Sequence, residues 1–302
     1  EKFQKFAEML PRAIGNPMYH WCHLELKNYF GYTGVLNGET AQRVWDLCNE
    51  KLRSDPAMSV RGMICGSNVA MVGTTDDPCS DLAWHEKLSA DGSFAPKVLP
   101  SFRPDPAVNL HKAGFADYLR KLEETVGREI STVEDVRQAL SVRIAFFDAH
   151  GCRSADHGLD YVMFRPASDM AATAALRKAR AGEPLTREEA EGYQTALLLH
   201  CAREYARLGW VMQLHFSCMR NPNTKILKTL GPDTGFDCMA VTDSCSATYR
   251  LLDTLEQEAS LPRTVLYSLN PADNAWIDTL LGAFQSPEIP GKIQHGSAWW
   301  FN

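Results

Sequence analysis

Side chains that move protons, grip anions or bind metals recur in this sequence in short clusters. Thr74, Thr75, Asp76 and Asp77 form one cluster, and Ser101, Arg103 and Asp105 a second. His150, Arg153, Asp156 and His157 form a third, and His215 stands with Ser217, Arg220 and Asn221. Asn270 is followed by Asp273 and Asn274, and His295 by Ser297. Histidine changes charge near neutral pH, and arginine offers a planar fork that suits a carboxylate. Each residue also has a plainer structural reading. Asp77 before Pro78 suits a helix cap, and Asn270 before Pro271 suits a turn. Arg103 has Asp105 two residues away to pair with. A single strand-end His is often hydrogen-bonded filler, but three at separate strand ends weaken that reading. His20 and His23 are spaced like metal ligands, yet no third ligand is adjacent.

Those clusters need elements to position them, and helices and strands alternate along the chain. Ala41, Val44, Trp45, Cys48 and Leu52 recur at helical spacing within 39–53. Further helices are expected around Phe115–Leu122 up to Gly127, from Thr132, at Ala247–Glu258 and at Ala272–Phe284. Thr186 and Glu189 form a capping box that opens a helix ending at Gly209. Strands are expected at Asn68–Thr74, Lys97–Phe102, Val142–Asp148, Trp210–Phe216, Thr264–Leu269 and Lys292–His295. The third is a continuous apolar run, as in strands buried on both faces.

Strict alternation predicts an α/β fold, either a doubly wound sheet or a TIM-like (β/α)8 barrel. The barrel is preferred because polar residues follow every strand, whereas a doubly wound sheet gathers its ligand at one switch point. Six of the eight strands are identified. The first and last are expected to lie before Glu1 and after Asn302, since the chain starts inside an amphipathic pattern and stops on an aromatic cluster. The expected organisation is a helical segment over 1–66 flanking a barrel body over 67–302, one catalytic domain overall.

Composition narrows the partners. The chain has 302 residues and a formal net charge of −6, with no basic run, which argues against nucleic acid and leaves room for a small anion. Nine scattered cysteines without a CxxC pair fit free thiols and a cytoplasmic location. No apolar run approaches the roughly 18 residues of a membrane span.

Several segments then become recognisable. Pro17-Met18-Tyr19-His20-Trp21-Cys22-His23-Leu24-Glu25-Leu26 closely resembles a segment of the uronate (glucuronate) isomerases. So do Thr74-Thr75-Asp76-Asp77-Pro78, Asp156-His157-Gly158, Gln213-Leu214-His215 and Gly296-Ser297-Ala298-Trp299-Trp300-Phe301-Asn302, in the family's order. The resemblance covers essentially the whole chain.

It implies an amidohydrolase-like barrel that interconverts aldouronates and ketouronates, glucuronate with fructuronate and galacturonate with tagaturonate. It also implies a divalent metal, zinc or a similar ion. The metal's His-x-His ligands and the Asp and Arg of the last strand would lie mostly outside this chain, so no metal ligand is assigned within it. The chain alone is therefore expected to lack essential proton-transfer groups. Thr242–Ser246 superficially resembles the last-strand motif, but Cys245 stands where Arg is expected. On this resemblance Arg103, Arg153 and Arg220 are placed to grip the substrate carboxylate, with Arg220 favoured. Asp156 would meet hydroxyls, and Trp299 and Trp300 would wall the sugar. His157 and His215 are candidates for support or proton relay. The expected partner is a small sugar acid, with no membrane and with room for a homo-oligomer. Two rivals remain, a metal-dependent hydrolase of the amidohydrolase class and a non-catalytic sugar-acid binding protein.

Overall fold

The computed structural model describes residues 1–297. Trp299 and Trp300, expected from the resemblance to wall the sugar, lie outside these residues. The chain divides into two compact units. Among the described residues, the first comprises 1–72 and 89–97, and the second 73–88 and 98–297.

The first unit is mostly helical. Its longer helices are Lys2–Met9, Pro17–Phe30, Ala41–Ser54 and Val60–Gly66. Asn16 opens the second of these by accepting from the Met18 N–H, with Pro17 at the first position. Gly31, at φ 71°, closes it in the left-handed region. Ala7, Leu10, Leu26, Leu36, Ala41 and Val44 form the buried core of this unit. His23 is structural here. Its Nε2 accepts from the Leu36 N–H at 3.0 Å, which leaves Nδ1–H to donate to the Tyr19 carbonyl at 2.6 Å.

The second unit is built on a sheet. Its strands, with the first residues of β1 and β2 counted with the other unit, are β1 (Met71–Asp76), β2 (Lys97–Phe102), β3 (Ser154–Gly158) and β4 (Val211–Phe216). A short ribbon follows, β5 (Cys218–Met219) against β6 (Cys238–Met239), and then β7 (Arg263–Ser268) and β8 (Ile293–His295). The six main strands neighbour one another as β1-β2-β3-β4-β7-β8, and β2 to β8 pair in parallel. Sequence order without a reversal is the arrangement of a TIM-like barrel, because a doubly wound sheet must reverse at its switch point.

One expected strand is a helix. Val142–Asp148 is the second half of the helix Val133–Ala149. The Thr132–Asp135 capping box starts that helix, and Arg143, Ile144 and Phe147 are buried while Val142 is exposed, a helical period. A short apolar run cannot by itself separate a buried helix from a buried strand. The third strand is the polar stretch Ser154–Gly158, which reads like a loop. Asp77 caps a turn rather than a helix, accepting from the Cys79 N–H at 2.8 Å. The two-residue ribbon β5–β6 has no periodic signal and was not expected.

The outer face of the sheet is dry. Phe102, Ala155, Met212, Leu214, Phe216 and Leu266 join one core with the helices Val133–Ala149, Arg187–Leu208 and Cys245–Gln257. Phe102 meets Phe147 edge-on at 5.1 Å, and Tyr205 stacks on Trp210 at 5.7 Å. Among the described residues no helix is long and apolar enough to cross a membrane.

Candidate active site

The period of two along a strand decides which side chains reach the sheet's other face. In β3, Ala155 and His157 are fully buried, whereas Ser154, Asp156 and Gly158 are not. In β4 the alternation leaves Gln213 and His215 on the wetter face, and in β7 it leaves Val265 and Tyr267 there. Register then lines up two rows. Asp156 is opposite Gln213, which is opposite Val265; Gly158 is opposite His215, which is opposite Tyr267.

These rows border a cavity of 780 Å³, lined among others by Arg103, Asp105, Lys112, Asp156, His215 and Arg220. It lies at the C-terminal ends of the strands, where α/β barrels carry their sites. Arg103 is the hub. Its Nε donates to Asp105 Oδ2 at 2.8 Å, and its Nη1 lies 3.2 Å from Asp156 Oδ2. Asp105 Oδ2 also accepts from the Gly158 N–H at 2.9 Å. A Cβ at Gly158 would sit 2.3 Å from Arg103 Nη2, so a side chain there would push the guanidinium out of this position. His215 Nε2 lies 3.1 Å from Asp156 Oδ1, close enough for an ion pair but not aligned as a hydrogen bond. Asp105 Oδ1 and Asp156 Oδ1 are buried and have no hydrogen-bond partner in the protein.

The charges are set by these neighbours. Burial pushes the Asp156 carboxyl up, but His215 and Arg103 outweigh it and hold the group below the usual carboxylate range. Burial opposes the charge on Arg103 as well, and Asp105 and Asp156 more than restore it. His111 and Lys112 hold Asp160 at about 2. Lys112 Nζ donates to Asp160 Oδ1 at 3.0 Å, and His111 Nε2 lies 3.8 Å from Oδ2. Arg220 pairs with Asp237 at 2.7 Å through Nη1.

Of the residues expected from sequence, Arg103, Asp156, His215 and Arg220 come together around one cavity. Arg153 does not. It immediately precedes β3, at the strand's N-terminal end, and pairs with Asp148 at 3.0 Å. Its misplacement follows from the misread third strand. His157 is next to Asp156 in sequence but on the opposite face, fully buried, with Nε2 3.2 Å from the Tyr205 hydroxyl. It can support the strand from behind and does not line the cavity. His295 pairs with Asp278 at 2.7 Å. Sequence reasoning missed Lys112, Asp160 and Tyr267. The first two sit outside the strands, in stretches with no periodic signal. Tyr267 was readable, because alternation within Arg263–Ser268 puts it on the face of His215 once the register is known. Among the described residues no three His, Cys, Asp or Glu side chains are placed to hold a metal ion. The donor set of the described residues does not fit one.

Fold and site together define a TIM-like α/β barrel protein with a polar, arginine-bearing mouth. Comparison with known proteins is specific beyond that class. A family model described as glucuronate isomerase matches residues 1–302. The chain is 48% identical over 302 residues to the uronate isomerase of Endomicrobium trichonymphae, covering all of this chain and 64% of that protein. It superposes on the crystal structure of uronate isomerase from Thermotoga maritima with a TM-score of 0.91 and 31% identity, covering 100% of this chain and 64% of that one. The glucuronate isomerase from Caulobacter crescentus gives a TM-score of 0.88 at 25% identity, covering 99% of this chain and 60% of that one. This chain belongs to the glucuronate isomerase family. It spans about 64% of the length of the curated relatives it matches.

Proposed function

We propose that the full-length protein is a uronate isomerase that interconverts an aldouronate and a ketouronate, glucuronate with fructuronate and galacturonate with tagaturonate. The observation that carries this reading is the combination at the mouth. One cavity brings together arginine forks and two carboxylates, each with an oxygen that accepts no hydrogen bond from the protein. A sugar acid presents the complement, one carboxylate and a row of hydroxyl donors. Buried acceptors without partners cost free energy, so hydroxyls that reach them bind favourably.

The reaction moves hydrogen between C2 and C1. A base takes the C2 proton, which is acidified by the C1 carbonyl. The enediolate charge is then stabilised, a proton passes from the C2 hydroxyl to the C1 oxygen, and a proton is delivered to C1. Arg103 or Arg220 holds the substrate carboxylate. Asp156, kept ionised, accepts from a substrate hydroxyl, and His215 beside it relays a proton. The same reading makes the small sugar acid the partner. It places the enzyme in the cytoplasm, in line with nine unpaired cysteines. The test is turnover of glucuronate and galacturonate by the full-length protein, with divalent metals supplied. Ketouronate formation is expected; no turnover with any uronate would sink the reading.

A further inference from the structure

His215 is held by a neighbouring ring that the proposed reaction does not use. Its direct partner across the β4–β7 register is Tyr267. The two rings stack with centroids 4.3 Å apart and planes 7° from parallel. The Tyr267 hydroxyl donates to Gln213 Oε1 at 3.1 Å, which tethers the far end of the ring to β4. Just past the next strand, β8, the Gly296 N–H donates to the Leu266 carbonyl at 2.8 Å, bringing this backbone beside Tyr267. A Cβ at Gly296 would lie 2.1 Å from the Tyr267 ring carbons, so the ring occupies the space a side chain would need. A stack, a tether and a glycine cradle together fix one ring plane, and the stack passes that plane to the imidazole.

We propose that Tyr267 is a positioning residue for His215, keeping the imidazole in the plane that holds Nε2 beside Asp156. Stacked rings resist rotation because turning one loses the face contact, and a hydrogen-bonded tip removes the remaining freedom. The groups that face this pair are Asp156 and, across it, Arg103, with Asp105 behind. The functional weight of the proposal rests on the reading of His215 as a proton-handling group.

The test is 15N NMR of the His215 imidazole in the full-length protein, with Tyr267→Phe, Tyr267→Leu and Gly296→Ala. The parent is expected to show one tautomer, protonated at Nε2, because a carboxylate oxygen 3.1 Å away favours the proton there. Tyr267→Phe keeps the stack and is expected to stay near the parent. Tyr267→Leu removes the ring. Gly296→Ala displaces it while leaving Tyr267 and His215 intact, and it carries the test if Tyr267→Leu does not fold. Both are expected to give mixed tautomers and to lower kcat by roughly tenfold or more with little change in KM. A single unshifted tautomer in Gly296→Ala and Tyr267→Leu would overturn the proposal. Mixed tautomers with unchanged kcat would leave the positioning intact and instead overturn the role of His215 in the reaction.

Discussion

Arg103 concentrates most of what happens at the mouth. It is held by Asp105 and Asp156, and Asp105 is in turn fixed by a backbone N–H of β3. Removing such a charged, oriented donor costs about 1.5–3 kcal/mol, or roughly 10-fold to 150-fold in kcat/KM. Arg103→Ala is expected to show that loss on glucuronate, mainly through KM. Gly158→Ala should imitate it in part, because the added methyl displaces a flexible guanidinium rather than backbone. Steady-state kinetics of both variants check this. Behind the same strand, burial holds His157 below its ordinary value of 6.5. The folded protein therefore binds fewer protons at this site than the unfolded chain does. Its contribution is fully present above pH 6.5 and is lost as pH falls towards the depressed folded value. Partly buried His200 is shifted in the same direction and adds to the effect. Urea unfolding at pH 7.5 and pH 5.5 is expected to show a loss of stability at the lower pH that His157→Gln reduces. The adjacency of Asp156 and His157 in sequence suggested one site. Strand alternation, legible in principle, sends them to opposite faces.

Elements were legible where their ends are chemically marked. Both capping boxes, Thr132 with Asp135 and Thr186 with Glu189, are formed. Gly127 and Gly209 close their helices in the left-handed region at φ 69°. Thr186→Ala is expected to cost about 0.5–2 kcal/mol by freeing the Glu189 N–H, measurable as a lower denaturation midpoint at unchanged m-value. The failure came where the marks are absent. The run from Val142 to Asp148 is apolar enough for a buried strand, while the true strand, Ser-Ala-Asp-His-Gly, lines the cavity with one face and has little hydrophobicity. That single error moved Arg153 to the wrong end of the sheet. Pattern reading weights greasy strands, and a strand that lines a polar mouth is the kind it passes over.

At the scale of the molecule, the order of the six strands along the chain is their order in the sheet, and this was readable only because alternation was joined to polar residues after every strand, which favoured a barrel over a doubly wound sheet. Which side chains share a face was not, because it depends on register between strands far apart in sequence. A polar inner face beside a dry outer one gives the second unit a core of its own on the helical side. The uronate complex is expected to raise the thermal midpoint of the full-length protein, since a ligand that binds only the folded state shifts the equilibrium by mass action. Arg103→Ala should weaken that rise at a fixed uronate concentration.

The sequence-ordered sheet also bears on how the second unit assembles. Each main strand pairs with the one before it, so every addition closes a loop no longer than the crossover between them, and loop-closure entropy grows only slowly with that length. Such a sheet can grow by serial docking onto a seed, without waiting for distant segments to meet. The longest registers join β3 to β4 and β4 to β7, over the buried aromatic helix layer. Hydrogen exchange should therefore be slowest in these three strands and the helix Arg187–Leu208, and should quicken outward towards β1 and β8.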